Sequence, residues 1–219
     1  SCEPIPDMDK LRRDAGPAFF RGPAFGKQIV SDSPAEEDWP TFRADPARSA
    51  STNTPAPPVV GSAWRTQLDA PAGAPVAVGD AVYVSCPDAH QVVSLDAKTG
   101  DIRWTYTAGG RVDSPPTWHD GLLLFGSRDG WVYCVTAADG ALAWKRRVAP
   151  ADRLISVRNQ LESSWPVYGA VLVDAGLAYV SAGRHGDADG GVFVQALDPS
   201  TGQIVWERNV RGFPPYRED

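Results

Sequence analysis

Short apolar runs separated by tight polar turns recur along most of the chain. Val82-Tyr83-Val84, Leu122-Leu123-Leu124-Phe125 and Leu177-Ala178-Tyr179-Val180 each follow a turn signal: Gly79-Asp80, Asp120-Gly121 and Ala175-Gly176. Another apolar run precedes each turn: Pro75–Val78, Pro116-Thr117-Trp118, and the stretch from Val167 to Val173. The runs are short and rich in β-branched and aromatic residues, which suits pleated, half-buried surfaces. They predict strands in pairs joined by hairpin turns.

A third and a fourth strand follow each pair, with a stronger signature. Ser94–Trp104, Cys134–Trp144 and Ala196–Trp206 align in register: an apolar or small residue starts each segment, a Gly stands six residues on (Gly100, Gly140, Gly202), and a Trp four residues later. Trp64, Trp104, Trp144 and Trp206 stand 40, 40 and 62 residues apart. Asp/Thr-Gly between two strands is a hairpin turn that needs positive φ. Four strands in about 40 residues is the period of a propeller blade. The predicted fold is all-β: a partial β-propeller of four-stranded antiparallel blades, about three plus a partial one, with an irregular N-terminal arm. The arm or linker covers residues 1–37 and the repeats 38–219, with a partial blade at 39–70, blades at about 71–108, 109–148 and 165–210, and an insertion at 148–164. The Trp side chains read as wedges between blades.

Composition narrows the function classes. Gly (21) and Pro (20) are abundant, as many tight turns require, and hydrophobic residues at 42% can fill a core. A net charge of −6 without any basic run gives no support for nucleic-acid binding. No apolar stretch approaches the roughly 20 residues of a membrane helix. Cys2, Cys86 and Cys134 match no zinc spacing; Cys134 reads as a buried thiol, and Cys86 as free or paired. His90, His119 and His185 fall in separate loops, so no metal site and no catalytic set is predicted. Both ends read as cut, as in a fragment or processed product.

Ala196-Leu-Asp-Pro-Ser-Thr-Gly-Gln-Ile-Val-Trp206 resembles the tryptophan-docking motif of the quinoprotein alcohol dehydrogenase-like (PQQ-like) propellers of bacteria. Ser94–Trp104 matches all but the first fixed position, and Cys134–Trp144 keeps Gly140 and Trp144. The segment from Asp38 to Arg48 (Asp-Trp-Pro-Thr-Phe-Arg…Asp-Pro-Ala-Arg), and Gly109–Pro116 followed by Gly126–Gly130, are similar to the same class. The resemblance implies a periplasmic or cell-envelope location. It admits two roles: cofactor-free scaffolds, among them a lipoprotein of outer-membrane assembly, and dehydrogenases carrying pyrroloquinoline quinone (PQQ) with calcium. The latter use vicinal cysteines, and this chain has no Cys-Cys pair.

Strand direction sorts the loops. The turns inside strand pairs are uniformly tight and share one side of the disc. The connections on the other side are longer and more polar, and elaborated loops on a rigid scaffold are where function concentrates. That side gathers Arg111, Asp113, Arg128, Asp129, Arg158, Glu162, Arg184 and His185 as candidate binding residues, with Asp88, His90, Arg153, Asp187 and Asp189 around them. A solvated polar rim is the alternative reading. Within the insertion, Leu154, Val157, Arg158 and Leu161 are spaced for one or two helical turns that could cap the central channel; a plain surface excursion is the alternative. Arg184–Gly191 reads as a glycine-rich turn and not a calcium loop. Phe19, Phe20 and Phe25 are candidates to dock the arm.

The sequence therefore supports a non-catalytic PQQ-like propeller module that binds or scaffolds a protein or small molecule in a larger bacterial protein. No cofactor is predicted for it, and its partners include the remaining blades of the parent chain. The alternative is a fragment of a PQQ-dependent alcohol or sugar dehydrogenase whose catalytic residues lie elsewhere.

Overall fold

Three sheets of the same design carry the molecule, seen in a computed structural model that describes residues 10, 15–29, 31, 33–55, 58 and 60–212. Strand β1 (Phe19–Arg21) comes from the arm. The first blade is β2 (Val76–Val78), β3 (Ala81–Cys86), β4 (Gln91–Asp96) and β5 (Ile102–Thr107). The second is β6 (Thr117–His119), β7 (Leu122–Gly126), β8 (Trp131–Thr136) and β9 (Leu142–Arg147). A two-stranded hairpin follows, β10 (Leu154–Val157) with β11 (Gln160–Ser163). The third blade is β12 (Leu172–Asp174), β13 (Leu177–Ala182), β14 (Val192–Leu197) and β15 (Ile204–Val210). Each blade is an antiparallel meander in chain order. The chain is all-β and folds as a partial propeller.

The strands form where the apolar pattern predicts, for a packing reason. Every residue of β7 is buried, because both faces of a blade pack against neighbours; such a strand reads as a continuous apolar run without alternation. Phe125, Leu123 and Leu124 of β7 are fully buried, as is Trp144 of β9. The third and fourth strands of every blade carry one register shift at the same place, at Ser94/Leu95, Cys134/Val135 and Ala196/Leu197. Their turns close on a side chain. Asp96 Oδ1 accepts from the Lys98 and Thr99 amides, and Asp198 Oδ1 from those of Ser200 and Thr201. The second blade has Thr136 at that position, and its hydroxyl bonds Asp139 and accepts from the Ala141 amide at 3.0 Å.

The Trp–Gly spacing becomes contact between blades. The Trp64 indole N–H donates to Ala97 O at 2.9 Å, Trp104 to Ala137 O at 3.0 Å, and Trp144 to Pro199 O at 3.1 Å. Each ring lies against the turn glycine beyond that carbonyl. A Cβ on Gly140 (φ +70) would stand 2.6 Å from the Trp104 ring, and one on Gly202 (φ +65) 2.6 Å from that of Trp144. Glycine meets two demands at once there: the positive φ of the turn and room for the indole.

The N-terminal third is not idle. β1 pairs antiparallel with β9 and makes the second blade five-stranded. Residues 39–48 lie along the first strands of the blades, β2, β6 and β12, which approach one another. Trp39 exchanges backbone bonds with Ala77 at 2.7 and 3.0 Å, and the Trp118 amide donates to Pro40 O at 2.8 Å. The Thr41 and Thr117 hydroxyls meet at 2.9 Å, Thr117 donates to Val171 O, and Arg48 donates to Ala170 O at 3.2 Å. Residues 39–70, read from sequence as a partial blade, carry this one isolated bridge and no described strand of their own.

The insertion corrects a sequence expectation. Residues 154–163 form a β-hairpin, not helical turns. Arg158 (φ +50) and Asn159 (φ +64) are both left-handed, as the tight two-residue hairpin turn demands. Exposure alternates along β10, whose Leu154 and Ser156 are exposed and whose Ile155 and Val157 are half-buried. The helical spacing of Leu154, Val157 and Leu161 is incidental to that alternation. Cys86 and Cys134 are buried free thiols, and burial raises both pKa values; Cys2 lies outside the described residues.

Candidate functional site

The long connections of one side meet in a chain of alternating charges. Arg111, in the connection from the first blade to the second, bonds Asp88 in the first blade and Asp113 at 3.3 Å. Asp113 also accepts from Arg128, in the loop between β7 and β8. Arg128 reaches Glu162 of β11 at 2.9 Å. Glu162 accepts in turn from Arg184, in the loop between β13 and β14. Arg184 finally donates to the Tyr168 hydroxyl at 2.8 Å and to Ser163 O at 3.3 Å. The relay crosses all three blades.

Burial makes its centre stiff. Glu162 is only 2% exposed, while Asp88 at the outer end is 57% exposed. A carboxylate withdrawn from water needs its partners, because desolvation without pairing is expensive. Arg128 shows the balance. Burial alone lowers its pKa, but the hydrogen bonds to Asp113 and Glu162 outweigh burial and hold it above the ordinary guanidinium value. Backbone bonds fix the frame: Arg128 N donates to Arg111 O at 2.9 Å, and Ser163 N to Arg128 O at 2.7 Å. The Arg128 guanidinium also lies over the Tyr168 ring at 4.9 Å.

Five of the eight candidates thus stand together: Arg111, Asp113, Arg128, Glu162 and Arg184. Asp129 does not join them. Its carboxylate turns inward to accept from the Tyr133 hydroxyl, and from the Trp131 amide at 3.1 Å. Burial raises its pKa against the pull of those bonds. The Tyr133 oxygen accepts in turn from the Gly109 amide at 3.1 Å, so Asp129 serves the join between the first two blades. Arg158 is exposed at the hairpin tip. His185 sits 3.5 Å from Asp187 in the exposed loop beyond Arg184, and Arg153 pairs with Asp189 at 3.2 Å. His90 caps the short turn after β3 with its backbone. Tyr168 escaped the sequence reading, although its place just after the insertion puts it on the same side as Arg128 and Arg184.

The hairpin is the part of the site that faces outward. Leu154, Ser156, Leu161 and Ser163 share one of its faces by register, and Ile155, Val157, Gln160 and Glu162 the other. The Glu162 face turns toward the blades. The opposite face presents Leu154 (51% exposed) and Leu161 (66%). A two-stranded ribbon is marginal by itself; this one is rooted by Glu162 in two guanidinium groups and by the Ser164 amide donating to Arg153 O at 2.9 Å.

Four-stranded blades joined through Trp–Gly contacts, with a charged loop side, define a PQQ-like β-propeller. The comparisons with known proteins agree. The family model described as outer membrane protein assembly factor BamB matches residues 61–219, and the chain belongs to that family. It is 29% identical over 138 residues to outer membrane protein assembly factor BamB of Moranella endobia (strain PCIT), covering 63% of this chain and 31% of that protein. It is 27% identical over 142 residues to the dehydrogenase subunit of alcohol dehydrogenase (quinone) of Acetobacter aceti, covering 59% of this chain and 18% of that one. The chain therefore spans under a third of the length of either relative. Among solved structures, quinohemoprotein alcohol dehydrogenase ADHIIG from Pseudomonas putida HK5 superposes with a TM-score of 0.64 at 20% identity, over 84% of this chain and 29% of that one. BamB from Moraxella catarrhalis does so with a TM-score of 0.51 at 19% identity, over 69% and 44%. At these identities the structures show the shared fold.

Proposed function

We propose that this chain is a non-catalytic propeller module of a larger bacterial cell-envelope protein, and that it holds a protein partner on its loop side. The observation that carries the reading is the hairpin β10–β11. It displays Leu154 and Leu161 to solvent while buried Glu162 ties it to Arg128 and Arg184. Exposed apolar side chains on a preorganised support, ringed by charges, are the anatomy of a protein interface. Membership of the BamB family and the names of its relatives support the envelope setting. Among the described residues no helix is long and apolar enough to cross a membrane.

On the dehydrogenase alternative, the catalytic residues of the parent protein lie outside this chain, and any calcium held by these blades would need free carboxylates on the loop side. The loop-side carboxylates Asp113 and Glu162 each already accept from two guanidinium groups. No group of three or more His, Cys, Asp or Glu among the described residues is arranged to hold a metal. The inner strand edges, where the blades converge, are hydrogen-bonded to residues 39–48. The commitment of these carboxylates to guanidinium partners supports the cofactor-free reading, and no catalytic step is derived for these blades.

A photo-crosslinking residue at Leu161, introduced into the parent protein in its own cell, tests the reading. One protein adduct is expected, lost when Glu162→Ala loosens the hairpin and absent when the crosslinker stands at Gly79 on the opposite side. Quinone- and calcium-dependent alcohol oxidation by the parent protein that disappears with Arg128→Ala would overturn it.

A further inference from the structure

A cavity of about 450 Å³ lies on the tight-turn side, between the arm and the turns of the second and third blades. Its floor is apolar and buried: Leu122, Ala143 and Pro199, with Ala24 of the arm. Phe25 and Ile29, both half-buried, form its walls. The volume falls in the range of small-ligand sites, about 300–1,000 Å³, which combine apolar walls with a few polar groups. The arm holds both blades that border the cavity, pairing with β9 and setting Phe19 against the Gly202 turn.

Over the cavity the arm is a fixed roof. The Ala24 amide donates to Leu142 O at 3.0 Å. The chain then turns, with Phe25 N donating to Gly22 O at 3.1 Å and Lys27 N to Ala24 O at 3.2 Å. Beyond the turn Ile29 packs on Gly121, where a Cβ would stand 2.5 Å from the Ile29 side chain. Phe25 is held from two directions, by the Phe19 ring at 6.2 Å and by the Arg21 guanidinium at 4.6 Å. A roof tied at both ends suits a compact ligand better than a continuous peptide chain. A preformed site also spares the cost of ordering on binding.

The rim sets the sign of the charge. Ser200 and Thr201 are committed to their own turn: the Ser200 hydroxyl donates to Asp198 at 2.7 Å, and the Thr201 amide at 2.8 Å. Lys27 lies in the field of Asp139. The Thr136 hydroxyl and the Ala141 amide hold the Asp139 carboxyl below the usual range, and Lys27 adds to their effect. Lys27 and Asp139 thus offset one another. Asp120 differs: its side chain is 78% exposed and stands 3.5 Å from His119, an imidazole that is a cation only when protonated. A carboxylate at the mouth of an apolar cavity, without a permanent cation beside it, favours a ligand that brings one.

We propose that this cavity binds a small organic cation, with an apolar body the size of a phenyl ring inside and a single ammonium group beside Asp120. The site lies on the side opposite the hairpin β10–β11, so it stands or falls apart from the loop-side reading.

Phenethylamine and phenylpropionate, alike in body and opposite in charge, are the probes, titrated into the chain and followed by amide NMR. Saturable shifts at millimolar amine are expected, confined to residues 24–29, 119–122, 143 and 199–201. The amine should bind about 3-fold more tightly than the acid, as an exposed ion pair allows, and added salt should narrow the difference. Ethylamine, which lacks the apolar body, should not bind. Asp120→Asn keeps a residue that tolerates the left-handed backbone at φ +46 and should equalise the two probes. Gln28→Trp, at an exposed position of the roof, should fill the mouth and remove binding of both without lowering the unfolding midpoint. The proposal is overturned by an absence of saturable shifts at millimolar amine, by tighter binding of the acid, by a preference that survives Asp120→Asn, or by binding that survives Gln28→Trp.

Discussion

Trp144 and Trp206 occupy the same place in the same design. Each follows a turn glycine by four residues, each pairs across a register shift with a small residue of the preceding strand, and each lies in the outermost strand of its meander. Trp144 is 0% exposed and Trp206 is 40% exposed. The difference comes from what lies beyond them. Trp144 reaches the Pro199 carbonyl and the Gly202 turn of the following blade, and its strand is covered by β1 from the arm. Trp206 touches the Tyr179 ring of its own blade, at 6.1 Å between centroids. The local sequence thus creates the capacity to join blades, and the energy is realised only when a neighbour supplies a glycine turn.

Substitution should expose that asymmetry most strongly at the Trp positions themselves. Trp144→Ala removes a fully buried ring and is expected to cost about 3–5 kcal/mol. Trp206→Ala, on the open face, should cost about 1 kcal/mol or less. Denaturant unfolding of both variants measures the gap. Equal losses would mean that Trp206 is already covered and that the comparison fails.

Glycine turns should divide the same way, with smaller effects. Gly202→Ala forces a Cβ into a left-handed residue and against the Trp144 ring, so strain and overcrowding add to about 2–4 kcal/mol. Gly176→Ala meets the same kind of strain at φ +77 with open space around the new methyl, and should cost about 1–2 kcal/mol. A Gly202 variant no worse than the Gly176 variant would show that the indole yields easily and that the joint is loose.

The blades were legible because their chemistry is local: a turn glycine and a Trp four residues on are set by one hairpin. The loop side was legible as a gathering and not as a wiring. Arg128 belongs with Glu162 and Asp113, and nothing local in the sequence prefers those partners to Asp129 beside it. Asp129 was lost to Tyr133 because the two sit at opposite ends of one tight loop and strand, where Gly109 leaves room for them. The hairpin stayed open between helical turns and a surface excursion, because Leu154, Val157 and Leu161 keep a helical spacing and adjacent Leu154 and Ile155 break any apolar–polar alternation; the left-handed pair Arg158-Asn159 makes the hairpin turn. The strand β1 left no alternation to see, since three residues paired to an edge need only a partner, and the partner is over a hundred residues away.

The finest test of the closed joint is a pH titration of Tyr83. It lies on the sealed side, with its hydroxyl donating to Ala137 O at 3.3 Å, the carbonyl that also receives the Trp104 indole. Burial pushes its pKa up from 10.0 to about 12, with the nearby Arg103 cation pulling down against that and Asp80 adding slightly. The folded-state value is above the unfolded one, so the stabilisation is fully present below pH 10 and is lost as pH rises through 12. Between those limits the unfolded chain gives up this proton while the folded chain keeps it. A shift of two units corresponds to about 2–3 kcal/mol lost across that window. Tyr83→Phe should cost only about 0.5–1 kcal/mol at pH 7, the worth of one neutral hydrogen bond, and should flatten the alkaline fall by the larger amount. Stability curves of the two proteins that stay parallel from pH 9 to 12 would show that the phenol is reached by water, and that the joint between the first two blades is as open as the end that carries Trp206.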